Sequence, residues 1–374
     1  MPTEVEWDYA AKQLGEELSR WGNTQFGFRC LVPTTTFSEY WPTRGWIGSS
    51  LAEQGMDPQL VAAGISQLES NFLNLHSLLI VRHGFLVVEK YYGGFGPTKS
   101  QDVASVNKSF LSALIGIAID QGAIPGIDQK MMDYFPEYAS EVDTHAYDIT
   151  LAHLLTMTSG FYWPEVHPFP SFMDDAFNSI APEKALFHSP ITSTPGTIFN
   201  YCTACTHVLS IILQDATGIP AQDFAQKYIM DPLGISSDDW SWYRNAFGYN
   251  TGGWGFELTP RDMAKFGYLY LHDGIWDGEQ IVPAEWVRQS RLTHINLGES
   301  NVPPYRNFGY GYLWWTTLLG GHPAYYAVGH GGQYIFILPS LDMIVVITER
   351  TEINLDQDPS DIIKNYFTAG VTDQ

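Results

Sequence analysis

Positive charge is scarce in this 374-residue chain: 19 Lys and Arg face 41 Asp and Glu, a formal charge of -22. Such a surface repels phosphate backbones and anionic headgroups, which speaks against nucleic acid as a partner. Cysteine is scarcer still. Cys30, Cys202 and Cys205 are too few and too clustered for a disulfide framework, and a reducing compartment is the simpler expectation. No apolar run reaches the ~20 residues of a bilayer span, and the most tempting one, Phe110 to Ile119, falls far short. The opening Met1-Pro-Thr-Glu-Val-Glu-Trp-Asp carries acid where a signal peptide needs base and then an apolar run. A soluble, cytoplasmic protein is expected.

What is plentiful is core-forming material. Hydrophobic residues make up 45% and aromatics 14% of the chain, which excludes a disordered protein. Residues 75 to 93 form two runs rich in Leu, Ile, Val and Tyr around His83-Gly84, which predicts a β-hairpin. A second pair, residues 334 to 350, surrounds the turn formers Pro339, Ser340 and Asp342. Sequential hairpins imply an antiparallel sheet rather than βαβ crossovers. Between these ends most segments have helical length and period. VASVNKSFLSALIGIAIDQGAI reads as a buried helix, and TPRDMAKFGYLYLHDG opens with a Thr-Pro start signal. The expected architecture is α/β (α+β), with a discontinuous sheet domain (1–104 and 310–374) and a mostly helical insertion (105–309).

Several chemistries find no support. HExxH, GxSxG and a GxGxxG after a strand are missing from the sequence, and Gly93 to Ser100 mimics a phosphate loop but has Thr98 where its second Gly belongs. Cys202-Thr203-Ala204-Cys205 has the C-x-x-C spacing of a redox pair or half a zinc site. Two further zinc ligands at suitable spacing are lacking, so both are expected as small free side chains packed in a helix. Neither a metal nor another cofactor is expected.

Ser105-Val106-Asn107-Lys108 is the remaining candidate. Ser and Lys three apart share a helix face, so the amine can hydrogen-bond the hydroxyl. About one such spacing arises by chance in a chain of this size. The position of this one sets it apart: a Lys inside an apolar helix costs several kcal/mol unless it gains a polar partner or loses its proton.

Taken in order, LLIVRHGFLVVEKYYGGF, SVNKSFLSALIGIAIDQG, MDYFP, HLLTMTSGFYW, PGTIFNYCTACTHVLSIILQDATG, LTPRDMAKFGYLYLHDG, FGYGYLWW and GHGGQYIFILP resemble the serine β-lactamase and penicillin-binding-protein superfamily. The likeness is strongest to its class C branch, with the class C-like esterases and the 6-aminohexanoate-dimer hydrolases, and spans roughly residues 70 to 350. It implies that Ser105 is the acylated nucleophile, Lys108 the amine that helps deprotonate it, and Tyr201 the phenol that shuttles the proton. It also implies an oxyanion hole from the backbone N–H groups of Ser105 and His330, if Ala327-Val328-Gly329 matches the family's Lys-Thr-Gly. In the rival register His330-Gly331-Gly332 is the triplet and Gln333 the donor. Thr203 stands where β-lactamases keep an Asn, and under either register the Lys that would hold a β-lactam carboxylate is missing. Pocket walls are expected from Phe161, Tyr162 and Trp163 and from Thr251.

These readings converge on a metal-free serine hydrolase of small carboxylic esters. The alternatives are an amide hydrolase of the 6-aminohexanoate type, a β-lactamase or D-amino-acid peptidase, and a non-catalytic ligand sensor. Oligomeric state is not legible.

Overall fold

His83 and Gly84 both take positive φ, 49° and 79°, the backbone of a tight two-residue hairpin turn. They join β1 (Leu75–Arg82) to β2 (Phe85–Tyr91). The computed structural model describes residues 40–165, 182–298, 309–350 and 358–373, so Cys30 and the N-terminal stretch lie outside the described residues. Six more strands complete the sheet: β3 (Ile295–Asn296), β4 (Gly309–Tyr310), β5 (Trp315–Leu319), β6 (His322–Gly329), β7 (Gln333–Leu338) and β8 (Met343–Glu349). Their spatial order is β2-β1-β8-β7-β6-β5-β4-β3, antiparallel throughout. Strands far apart in the sequence therefore meet at the β1–β8 pair, where Leu79 faces Val346 and Ile80 faces Val345.

Strands β7 and β8 are buried along their whole length, so both faces of the sheet centre are covered. One cover is α5 (Pro260–Leu271), numbered after α1 (Pro58–Asn71), α2 (Asn107–Asp120), α3 (Leu151–Leu155) and α4 (Thr203–Thr217). The expected Thr-Pro start is used: the Thr259 side chain caps the helix by accepting from Asp262 N. Gly267 lets α5 lie flush on the sheet, since a Cβ there would come within 2.9 Å of Ile335 and 3.0 Å of Ile344. Phe266 of α5 stacks on Phe110 of α2 at 3.5 Å, which passes the packing on to the helical layer.

Helix α2 is buried at every position from Asn107 to Ala118. A helix buried on all sides in this way is a core helix, and it fixes whatever precedes its first turn. Among the described residues, no helix is long and apolar enough to cross a membrane.

Candidate active site

Ser105 sits in a single 3-10 turn (Ala104–Val106) that leads directly into α2. Ala104, just before it, holds a positive φ of 47°, an uncommon backbone for a residue with a Cβ. The turn is clamped from two sides: Asp102 Oδ1 accepts from Ala104 N at 2.8 Å, and Val103 N donates to Phe256 O at 2.8 Å. The end of β6 closes a third side, because Gly329 packs against Val103 O so tightly that a Cβ would collide with it.

Lys108, the second residue of α2, is 1% exposed and donates through Nζ to Ser105 Oγ at 2.7 Å. Burial pushes its pKa down to about 8, and the charge of Glu165 works in the opposite direction. Ser105 Oγ in turn donates to Gly253 O at 3.3 Å. Gly253 is required to be small: a Cβ there would stand 2.6 Å from Lys108 Nζ and 3.1 Å from Thr203 Cγ2. Asn107 ties the same loop to α2 by donating to Thr251 O at 3.1 Å.

Tyr201 approaches from the start of α4. Lys108 Nζ lies 4.8 Å from the centre of its ring, and Trp315 stacks on the ring with a centroid distance of 5.8 Å. The turn is held by the loop of residues 156–161: Asn200 N donates to Met157 O, and Asn200 Nδ2 donates to Phe161 O at 3.0 Å. Ser105, Lys108 and Tyr201 are thus brought together by three separate elements.

Other expected residues fall differently. Phe161 is buried, and Tyr162 is about half exposed. Trp163 is buried and donates its indole N–H to Glu165 Oε2 at 2.9 Å. Thr203 is also buried, and both its N–H and its hydroxyl donate to Glu165. Thr251 is 1% exposed, with its hydroxyl donating to Trp254 O and its carbonyl taken by Asn107 and Trp242. That makes it a brace for the Gly252-Gly253 loop. His330 stands in the turn between β6 and β7, and its imidazole pKa is lowered chiefly by burial, with Asp102 opposing. Gln333, the donor of the rival register, opens β7 paired to Gly329, and its side chain donates to Gly331 O and Glu349 O.

The two cysteines require a correction. They were expected as free thiols inside a helix, yet Cys202 is the N-cap of α4 and is bonded to Cys205 as a disulfide, with Cα atoms 5.3 Å apart. The extended N-cap conformation (φ -138°, ψ 96°) followed by one helical turn brings the two side chains together within bonding geometry. A low cysteine count therefore carries no inference about compartment here. Glu165 and Trp315 carry no sequence expectation as site residues. Glu165 follows Trp163 by two positions, and only the fold shows that its carboxylate turns back toward α4.

A family model described as "Beta-lactamase" matches residues 67–364. The 6-aminohexanoate-dimer hydrolase of Paenarthrobacter ureafaciens is 25% identical over 349 residues, covering 88% of this chain and 84% of that protein. Among solved structures, a family VIII carboxylesterase superposes with a TM-score of 0.66 at 16% identity, covering 86% of this chain and 98% of that one. A D-stereospecific amidohydrolase from Streptomyces superposes with a TM-score of 0.64 at 17% identity, over 83% and 99%.

Proposed function

Because the chain belongs to the β-lactamase family of serine hydrolases, we propose that it cleaves small carboxylic esters through an acyl-enzyme on Ser105. The observation that carries this reading is the 2.7 Å contact between Ser105 Oγ and the buried Lys108 amine. In the neutral amine that contact runs the other way, with the hydroxyl giving its proton to the nitrogen lone pair as Ser105 Oγ attacks the acyl carbon. The backbone N–H groups of Ser105 and His330 hold the oxyanion. The close packing of Gly329 on Val103 O brings the end of β6 beside the Ser105 turn, which supports a second donor from the residues that follow it. Tyr201, beside Lys108, gives its phenolic proton to the departing alkoxide and is reprotonated by the Lys108 ammonium, and water then releases the acid by the reverse sequence.

An ester is favoured because it asks little of the site. Thr203, at the position where β-lactamases keep an amide-contacting Asn, spends its hydroxyl on Glu165 rather than on a substrate amide. An alkoxide also leaves more readily than an amine. Amide cleavage of the 6-aminohexanoate type is the second reading. It is supported by the named relative and by the -22 formal charge, which suits a cationic amine substrate. Comparing kcat/KM for a short p-nitrophenyl ester, the aminohexanoate dimer, a D-amino-acid peptide and a penicillin separates these readings. The ester should lead, and an amide in first place would overturn the ester assignment.

A further inference from the structure

The start of α4 carries more than a cap. Thr203 N is the first amide of the helix and belongs to the group of N–H donors that an α-helix leaves without an internal partner. Glu165 Oε2 accepts from it at 3.1 Å and also accepts from the Trp163 indole at 2.9 Å, while Oε1 takes the Thr203 hydroxyl. A carboxylate is favoured at this end of a helix by the macrodipole. Tyr201 lies two residues before Thr203, so the same carboxylate pins the turn that presents the phenol.

We propose that Glu165 is a positioning residue for acyl transfer at Ser105: it locks the Tyr201–Thr203 turn against the Trp163 loop and presents its charge to Lys108. The inference rests on the Ser105–Lys108 reading above. Among the described residues, Tyr201, whose ring centre is 4.8 Å from Nζ, and Glu165, whose charge favours the ammonium form, are the titratable groups that bear on Lys108. From the other elements packed there, Ser105, Asn107, Gly253 and Thr203 contribute no charge. His207, on α4, is fully buried against Trp254 and has its pKa pushed down to about 4, so it stays neutral at working pH. His330, in the β6–β7 turn, has its pKa lowered by burial.

The sign follows. Removing the Glu165 charge disfavours the Lys108 ammonium, so the limb of the pH–rate profile that belongs to Lys108 moves to lower pH. The experiment measures phosphonylation of Ser105 by a fluorophosphonate, and kcat for a p-nitrophenyl ester, across pH in wild type, Glu165→Gln and Glu165→Asp. Glu165→Gln should lose about tenfold or more in kcat and shift the limb down by about half a pH unit or more. Glu165→Asp keeps the charge, so it should lose rate with the limb within about 0.2 unit of wild type. A Gln variant that is slow with an unmoved limb would mark a merely structural contact and overturn the proposal, as would unchanged kcat. If Glu165→Gln fails to fold, the smaller charge-free Glu165→Ser decides by the same limb: reduced kcat with the limb moved to lower pH supports the proposal, and an unmoved limb or wild-type kcat overturns it. A wild type that is not labelled at Ser105 removes the reading on which the proposal rests, and the proposal with it.

Discussion

Lys108 reaches Ser105 Oγ across 2.7 Å from a position that is 1% exposed. A buried ammonium is costly, and here burial itself moves the amine toward the neutral form that a base requires. The helix that follows the Ser105 turn therefore also conditions the amine beside the hydroxyl.

This relationship sets a pH dependence. With its pKa lowered to about 8, Lys108 binds a proton below that pH and is neutral above it. If the neutral amine accepts the Ser105 proton, ester kcat/KM rises with pH to a midpoint near 8 and then levels, since kcat/KM reports the free enzyme. Initial rates across pH 6 to 10 at low substrate, as ~0.5-unit steps, check it. A profile flat through pH 8 would remove Lys108 from the base role.

Tyr201→Phe deletes one hydroxyl and keeps the ring that stacks on Trp315. We expect kcat to fall by at least ~10², the lower end of what a positioned acid–base group supplies. Circular dichroism and Tm should remain near wild type. A loss under about fivefold would leave Tyr201 a packing role only.

Gly253→Ala tests the close approach of the opposite wall. The new Cβ would lie 2.6 Å from Lys108 Nζ, the free end of a flexible side chain, so the amine is displaced more readily than the backbone. Activity should drop by about tenfold or more while Tm changes little, because small misplacement of a reacting group is costly to rate. Kinetics and thermal unfolding on the same sample read both.

Glu349, at the end of β8, is 1% exposed, and its Oε2 has no hydrogen-bond partner among the described residues. Burial raises its pKa to about 7. Between its ordinary carboxylate range and pH 7 the folded state then holds the proton more tightly than the unfolded one, so this group makes stability fall as pH rises through that window. Glu349→Gln should therefore stabilise the protein at pH 8, by on the order of 1 kcal/mol, and do little at pH 5. Urea unfolding at the two pH values decides, and an equal effect at both would show that the carboxyl does not titrate there.

Neither Ala327-Val328-Gly329 nor His330-Gly331-Gly332 supplies a permanent cation for a β-lactam carboxylate, and burial lowers the pKa of the His330 imidazole. Ester kcat/KM should exceed that for penicillin by orders of magnitude at pH 7, with the ratio unchanged up to pH 9. Burying an unpaired carboxylate costs several kcal/mol, and each 1.4 is about a factor of ten. Any narrowing belongs below the ordinary imidazole range near pH 6.5.

The parts of this molecule that were legible in the sequence are those where local chemistry dictates structure. His83-Gly84 could only be a tight turn, Thr259-Pro260 starts a helix, and the Ser105–Lys108 spacing fixes one helix face. Strands β5 and β6 were not legible: Trp315–Leu319 and His322–Gly329 are buried mid-sheet, without the polar alternation of a half-exposed strand. The Cys202–Cys205 bond was misread because composition spoke for free thiols, whereas the N-cap conformation of Cys202 decides the pairing. Glu165 was missed because its contacts with Thr203 span 38 residues, and no local pattern encodes them.

The central claim is that Ser105 carries the acyl group. Intact mass spectrometry after fluorophosphonate treatment, with peptide mapping, tests it most directly. Wild type should gain one adduct, mapped to Ser105, and Ser105→Ala should gain none and lose ester turnover with its fold intact. An adduct on another residue, or a Ser105→Ala protein that still turns over ester, would contradict it.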